Sequence, residues 1–311
     1  MASLKEIKSR IASVKNTLKI TSAMKMVASA KLHKAQSAIG NKLPYEQKLH
    51  KMLSGMLQDD DLQNALRKEL GFGSGDRSPV ALQDTSIDAI PVKEEVERVA
   101  VVVFSSNSSL IGSFNANVIK KFSETMHMLS EAGYEQEDID IYTVGRKAAD
   151  AVRRDGYASY MDLPDLSDKP DYMKASDLAE DLVGRFASGE IGQVILIYNH
   201  FASMSSQPSV RENYLPLALG DYNETADPVD YIIEPDPLEL VRELLPLVLN
   251  LKIYTVALDA SAAEHAARTV AMQVASDNAK DLIAELTLAY NKGRQQEITA
   301  EILDLAGGMQ D

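Results

Sequence analysis

Two stretches of helical periodicity lie at the two ends of the chain. From Leu4 to Leu18, apolar residues recur at alternating spacings of three and four, as they do in the seam of a coiled coil. The same spacing returns near the C-terminus, in a predicted seam formed by Met272, Ala275, Ala279, Leu282, Leu286, Ala289 and Gly293. Because each long helix needs a partner to cover its seam, the pattern predicts one antiparallel coiled coil of the terminal helices.

The first helix is predicted over residues 3–43, with Ser3 as its N-cap and Glu6 completing a capping box. Gly40 and Pro44 should bend or interrupt it before helical pattern resumes. After Leu18 the predicted seam shifts to a smaller apolar face made of Met24, Val27, Ala30 and Ala35. The last helix is predicted to start at Asp236 or Pro237, to bend at Pro246, and to end at Gly307-Gly308.

The middle of the chain alternates between strand and helix patterns. Val99–Phe104 is a continuous apolar run, typical of a strand buried on both faces. Further strands are predicted at 139–144, 159–163, 193–198 and 209–217, with helices at 115–132, 146–155 and 173–188. A strand is also possible at 231–234. This alternation predicts a Rossmann-like α/β domain with a mainly parallel sheet.

We therefore predict an α/β fold class, in which a long antiparallel coiled coil of N- and C-terminal helices carries an inserted Rossmann-like α/β domain. The predicted boundaries are 1–58 for the first coiled-coil helix, 59–97 for a polar linker, 98–235 for the α/β domain and 236–311 for the last helix. A linker as long as 59–97 is either functional or disordered.

Composition and charge narrow the possible functions of this 311-residue chain. The net charge is −14, yet residues 1–51 contain eleven Lys and Arg against two Glu. The chain has no cysteine, which excludes disulfides and thiol chemistry. No apolar run approaches the roughly 18–20 residues of a membrane span, and the N-terminus lacks the apolar core of a signal peptide. We expect a soluble, intracellular protein.

The sequence offers little evidence of catalysis. The five histidines have no metal-ligand spacing, and no catalytic set or phosphate-binding glycine motif occurs, so we predict no metal and no cofactor. The turn at residues 105–115 leads into a helix N-terminus, which is either an anion site or a simple connection. The basic residues of the first helix almost lack Glu partners four residues away, so they suggest an acidic partner surface.

Several long runs resemble the gamma subunit of the F-type ATP synthase, the central stalk of this rotary motor. At the N-terminus these are residues 4–17 (LKEIKSRIASVKNT) and 19–31 (KITSAMKMVASAK). Near the C-terminus they are residues 267–279 (ARTVAMQVASDNA) and 286–299 (LTLAYNKGRQQEIT), and the segment 231–237 (YIIEPDP) also resembles the family. The turn Asn107–Ser113 departs from the family pattern Asp-Arg-Gly-Leu-Cys-Gly-Gly, and the linker at 59–97 is longer than is usual.

The resemblance implies a non-catalytic shaft that couples ion-driven rotation of the c-ring to ATP synthesis. Its partners would be the alpha, beta, epsilon and c subunits. The coupling ion would be a proton or sodium. The protein would then be a peripheral membrane protein on the cytoplasmic face of the bacterial inner membrane.

The resemblance also assigns residues to the two partner surfaces. It places Tyr231 and Glu234 against the c-ring. The residues expected to contact the alpha/beta hexamer are Lys8, Arg10, Met24, Arg268, Arg294, Gln295 and Thr299.

Two other classes of function stay open from the residues alone. One is a coiled-coil nucleic-acid binder that uses the basic arm, which the acidic remainder of the chain opposes. The other is a Rossmann-type enzyme with helical extensions, which the missing glycine and ribose-binding signals oppose.

Overall fold

The computed structural model describes residues 3–56, 80–81, 98–218 and 236–307. The predicted linker 59–97 lies outside the described residues except for 80–81. The possible strand at 231–234, and with it Tyr231 and Glu234, lies outside them as well. Two compact units are formed, one by Met1–Ala30 with Arg268–Asp311 and the other by Lys31–Ala267.

Two very long helices begin and end the described chain. Helix α1 spans Leu4–Met56 and helix α6 spans Pro237–Gly307. Between them the elements follow in this order: β1 Val80–Ala81, β2 Val99–Phe104, α2 Phe114–Glu131, β3 Ile139–Val144, α3 Arg146–Arg154, β4 Ser159–Asp162, α4 Pro164–Asp168, α5 Tyr172–Ala187, β5 Gln193–Asn199, β6 Ser209–Leu215 and β7 Leu217–Ala218.

The predicted interruption of the first helix is wrong, because α1 continues through Pro44. The proline removes one backbone hydrogen bond and crowds the carbonyl group four residues earlier, which belongs to Gly40. A Cβ placed on Gly40 would meet no atom within 4 Å, so the backbone there has room to adjust. Burial of Leu49 and Leu53 beyond the proline offsets its cost of about 3 kcal/mol. The start at Ser3 is confirmed, since its Oγ accepts the Glu6 N–H at 3.3 Å.

The sheet that contains β2 is mainly parallel, as predicted. Its five strands lie in the order β4-β3-β2-β5-β6, and only the β5–β6 pair is antiparallel. Helices α2 and α3 cover one face through residues such as Phe122 and Val152. Helix α5, the first half of α6 and the end of α1 cover the other face. Every residue of β2, β3 and β5 is therefore buried.

Helix α6 also changes the expectation about membrane spans. Among the described residues it is the one helix, over Leu238–Leu303, with a window long and apolar enough to cross a bilayer. The prediction that no apolar run is long enough to span a membrane is therefore wrong, because the length and composition of this helix meet that requirement. However, 61% of that window is buried inside the structure, where the apolar side chains pack in the sheet's core.

The terminal parts of α1 and α6 form the predicted antiparallel coiled coil within their unit. Three contacts fix its register. Thr21 Oγ1 and Ser276 Oγ are 2.8 Å apart, and Lys25 Nζ donates to Gln273 Oε1 at 2.6 Å. At the far end, a Cβ added to Gly293 would lie 2.9 Å from Leu4 Cδ2. The same register sets Ile7 level with Tyr290, Ile11 with Leu286, Val14 with Ile283, and Leu18 with Ala279.

The second half of the predicted α1 seam is wrong at two of its four positions, while Ala35 is buried and Met24 is half-buried. Val27 is 58% exposed and Ala30 is exposed, whereas Thr21 and Ala28 are buried. The three-four spacing in fact continues without a shift through Thr21, Lys25 and Ala28. The apolar pattern missed this because polar side chains occupy two of those positions, where each bonds across to α6.

On α6 three predicted seam positions are displaced by one residue. Leu282 and Ala289 are exposed and Ala275 is only half-buried, while Ser276, Ile283 and Tyr290 face inward. Met272, Ala279, Leu286 and Gly293 lie in the seam as predicted. Ser276 and Tyr290 occupy seam positions that the apolar pattern assigned to their neighbours Ala275 and Ala289.

This correction predicts a sharp difference between two adjacent residues. Ile283→Asp should lower the free energy of unfolding by about 1–3 kcal/mol, because it places a charge in the seam. Leu282→Asp, the matched control, should change it by less than about 0.5 kcal/mol because Leu282 is exposed. Urea unfolding of the full chain measures both, and equal losses would contradict the register.

A second prediction concerns Gly145, which lies between β3 and α3 with φ of +107°. A Cβ there would lie 2.3 Å from the carbonyl oxygen of Ser105. Gly156 also has positive φ (+88°), but a Cβ there meets nothing within 4 Å. Gly156→Ala should therefore cost about 1–2 kcal/mol through backbone strain alone. Gly145→Ala should cost clearly more, and a similar fall in Tm for both variants would show that the clash does not matter.

Candidate partner-binding surface

The basic residues of α1 lie on the surface of the coiled coil. Lys5, Lys8, Arg10, Lys15 and Lys19 are all exposed. None of these five forms an ion pair with another residue in the described part of the chain. Their charge is therefore left for water or for a partner, and unpaired cations along one helix favour an acidic partner surface.

Lys25 differs from the other cations of this arm, since it belongs to an internal network. It donates to Gln273, whose amide donates to Asp277 Oδ2 at 2.6 Å, and Lys280 donates to Asp277 Oδ1 at 2.9 Å. The hydrogen bonds from Lys280 and then Gln273 lower the pKa of Asp277 from its ordinary value. This network joins the two helices, so Lys25 holds the coil together.

The predicted hexamer-facing residues fall into two groups along the coil. Met24 and Arg268 are both half-buried and lie close to each other in the register. Arg294, Gln295 and Thr299 are exposed on α6, about 39 Å farther along the helix axis than Arg268. Lys8 and Arg10, both exposed, lie on α1 nearer to the second group.

The second group stands on a helix end without a partner in α1. Because Gly293 is level with Leu4, the residues Arg294–Gly307 continue past the first residue of α1 for about 20 Å. The Thr299 hydroxyl donates a hydrogen bond to the carbonyl oxygen of Gln295 at 2.8 Å. In the part of the chain that the structure describes, the Arg294 and Gln295 side chains form no hydrogen bond or ion pair and are exposed on this helix end.

The surface of this unit is unusually apolar, and this was missed from sequence. Ten large apolar side chains are exposed in its described residues, namely Ile20, Met26, Val27, Val270, Val274, Leu282, Leu288, Ile298, Ile302 and Leu303. Single exposed apolar residues are ordinary, but a concentration on one slender coil is typical of a binding surface. Ile298 and Ile302 are four residues apart in the sequence, and this spacing indicates an apolar face on the end of α6.

The carboxyl ends of the parallel strands, where doubly wound domains bind nucleotides, are filled by the chain itself. Phe114 and Ile111 pack there against Ala263 of α6, and Phe201 joins them from the β5–β6 connection. The cavity beside them, lined by Ser105 and Glu264 among others, holds about 10 Å³. That cavity has room for about one water molecule, far less than a nucleotide needs.

The altered turn after β2 is satisfied by internal hydrogen bonds. Asn107 accepts the Arg146 N–H at 2.9 Å and donates to the carbonyl oxygen of Pro164 at 2.7 Å. Ser106 donates to the carbonyl oxygen of Ser108 at 2.7 Å and also bonds to Asn115. These contacts favour a structural turn over the anion site that the sequence left open. In the described ranges, no group of three or more His, Asp or Glu is arranged to hold a metal ion.

These features define a class of protein: an antiparallel coil of terminal helices with an α/β domain inserted between them in the sequence. Solved structures share this fold. A chain of the Euglena gracilis mitochondrial ATP synthase (OSCP/F1/c-ring, rotational state 3) matches with a TM-score of 0.62 at 19% identity, covering 99% of this chain and 93% of that one. A chain of the Tetrahymena thermophila mitochondrial ATP synthase (central stalk/c-ring) matches with a TM-score of 0.54 at 21% identity, covering 83% and 99%.

Sequence comparisons identify the family. A family model described as ATP synthase matches residues 3–310. The ATP synthase gamma chains of Phocaeicola vulgatus and Bacteroides thetaiotaomicron are each 49% identical to this chain, with 99% of both chains covered in each case. The chain belongs to the ATP synthase gamma chain family, as the resemblance of its terminal runs predicted.

Proposed function

We propose that this chain is the rotating central shaft that couples ion flow through the c-ring to ATP synthesis in the alpha/beta hexamer. It performs no bond chemistry itself. The observation that carries the proposal is the end of α6, where apolar and polar side chains are exposed on a helix that extends beyond the first residue of α1 and has no partner among the described residues of its unit. We infer that the alpha and beta subunits surround this end of α6 and stabilise it by covering its apolar side chains.

The hexamer-facing surface is proposed to consist of two levels on the coil. The upper level contains Arg294, Gln295 and Thr299, and the lower level contains Met24 and Arg268. Arg294 suits a carboxylate or carbonyl of a beta subunit, because its planar guanidinium binds such groups through paired hydrogen bonds. Lys8 and Arg10 add unpaired positive charge between these levels, where an acidic surface on the hexamer would meet them.

Torque in this proposal is a matter of differential contacts. A coil with unlike sides presents different residues to each catalytic subunit at each angle, so each angle favours a different conformation of each site. The sides of this coil are unlike: α1 is strongly basic, whereas α6 carries Asp277, Asp281 and Glu285 over the matching length. Rotation would then exchange the states of the three catalytic sites in turn.

At its other end the shaft is proposed to contact the c-ring through Tyr231 and Glu234, with the epsilon subunit alongside. ATP synthase is associated with a membrane, and we place the chain on the cytoplasmic face of the bacterial inner membrane. It would touch the membrane only through the ring, and the ring's ion would be a proton or sodium.

The upper contacts are tested by the double variant Arg294→Ala with Gln295→Ala. Each lost contact is worth about 1–3 kcal/mol if it is charge-assisted. The complex should still assemble, measured by co-purification of the alpha and beta subunits, but ATP synthesis and steady-state hydrolysis should both fall by about tenfold or more. Lys292→Ala, an exposed change two residues earlier, is the matched control. Wild-type turnover in an assembled double variant would remove these residues from the mechanism.

The ring contacts are tested by cross-linking in this cysteine-free chain. Tyr231→Cys and Glu234→Cys should each form a disulfide with a cysteine introduced in the polar loop of the c subunit within the intact complex. Glu301→Cys, on the end of α6 that is proposed to face the hexamer, should not. Failure of every pair at 231 and 234, with normal assembly, would refute the proposed orientation.

A further inference from the structure

A buried cluster of charged groups joins α1, α6 and the edge of the sheet. Glu46 of α1 is only 6% exposed. Its carboxylate lies 4.0 Å from Lys252 Nζ of α6, and the same ammonium binds Glu212 of β6 at 2.6 Å. Two carboxylates therefore share one cation, and the geometry gives that cation to Glu212.

The ionised carboxylate of Glu212 has a hydrogen-bond donor for each of its two oxygens. Besides Lys252, the hydroxyl of Tyr198 on β5 donates to Glu212 Oε2 at 3.0 Å. Both oxygens of Glu212 thus accept a hydrogen bond, which suits a carboxylate. Among the described side chains, the cation nearest to Glu46 is Lys252 at 4.0 Å, and Lys252 is held more closely by Glu212.

The remaining neighbour of Glu46 is the hydroxyl of Thr255 on α6, which is within hydrogen-bonding reach. Thr255 already donates its single hydrogen to the carbonyl oxygen of Lys252 at 2.9 Å. That one hydrogen cannot serve both acceptors at once, so an ionised Glu46 must compete with the Lys252 carbonyl oxygen for it, whereas a protonated Glu46 can donate to the Thr255 oxygen. When Glu46 is protonated, its own hydrogen and that of Thr255 satisfy both contacts. When Glu46 is ionised, these groups have one hydrogen fewer than the two contacts need.

We propose that Glu46, Thr255, Lys252 and Glu212 form a proton-binding clasp that fixes the end of α1 to α6 and β6 when Glu46 is protonated. Loss of the proton would force Glu46 to compete with Glu212 for Lys252, or with the Lys252 carbonyl for the hydrogen of Thr255. Either change weakens a contact between elements. This cluster affects the stability of the folded chain, and its role does not depend on the proposed shaft function.

Electrostatics point in the same direction as the geometry. Burial is the main influence on Glu46 and raises its pKa above the ordinary value, while Lys252 and Thr255 oppose this and Glu212 reinforces it. Tyr198 has a raised pKa as well, first through burial and then through Glu212, and it stays neutral. Within the described part of the chain, the groups that act on Glu46 are the cation Lys252, the anion Glu212 and the hydroxyls of Thr255 and Tyr198, from α6, β6 and β5.

The sign of the pH effect follows from the raised pKa. The folded chain holds a proton on Glu46 at pH values where the unfolded chain, with an ordinary pKa near 4.5, has lost it. The stabilisation is complete below that unfolded pKa and is lost as the pH rises through the folded pKa. Glu46→Gln keeps the neutral form at every pH, so its stability relative to wild type should grow with pH.

The test is urea unfolding of the full chain between pH 4.5 and pH 8.5, for wild type and Glu46→Gln. The ratio of their unfolding constants should change by up to tenfold per pH unit until Glu46 ionises in the folded chain, and then level off. Glu6→Gln, on the exposed first turn of the same helix, should show no such change. A ratio for Glu46→Gln that stays constant over the whole range would overturn the proposal.

A second variant covers the case in which Glu46→Gln does not fold. Glu212→Gln removes the competitor for Lys252, so Glu46 can ionise against the freed ammonium group. The pH dependence of stability seen in wild type should then shrink or vanish. Wild type with no loss of stability across this range, or Glu212→Gln with the wild-type pH dependence unchanged, would each contradict the clasp.

Discussion

The pairing register between the first thirty residues and the last forty governs the terminal unit. It is set by a short polar layer, in which Thr21 bonds to Ser276 and Lys25 bonds to Gln273, inside an otherwise apolar seam. Apolar side chains accept a shifted partner almost as readily as the correct one, whereas a buried hydroxyl or amine does not. These contacts therefore fix which residues face outward, including the exposed apolar set, and how far α6 extends beyond α1.

Helix α6 takes part in both units, and its character changes along its length. Its first half is rich in Leu and Val and covers one face of the sheet, where Val241, Val248 and Ile253 are fully buried. Its middle is rich in alanine, which lets it lie against the carboxyl ends of the strands and close the crevice that a nucleotide would otherwise use. Apolar residues of α6 thus occupy the end of the sheet at which doubly wound domains bind nucleotides.

Two buried clusters of charge among the described residues differ in how their charges are balanced. Arg185 is enclosed by Asp140, Tyr142 and Glu190, and its guanidinium lies 4.2 Å from the centre of the Tyr160 ring. Burial of unlike charges together avoids the large penalty of an isolated ion. The cluster around Glu46 lacks this balance, since it has two carboxylates and one ammonium group. That imbalance makes it sensitive to pH, whereas the Arg185 cluster is a fixed connection between α5 and the sheet.

Local patterns in the sequence were enough for the α/β domain and for the existence of the coil. The buried strands Val99–Phe104 and Ile139–Val144 have the predicted bounds, because a run of apolar β-branched residues is a strong local signal. The terminal runs were also enough to identify the family. The identities at 294, 295 and 299 came from that resemblance, and their roles stay predictions.

Tertiary structure alone decided which positions of the coil face inward. Thr21, Ser276 and Tyr290 lie in the seam and Leu282 does not, since a polar group is acceptable there once its partner lies across the interface. Helix continuity through Pro44 depended likewise on packing at Leu49 and Leu53, which lie beyond it in sequence. The sharing of Lys252 between Glu46 and Glu212 joins residues more than 150 positions apart. Sequence determines periodicity and family, while contacts between distant residues decide register, exposure and charge, because those depend on what each side chain meets after folding.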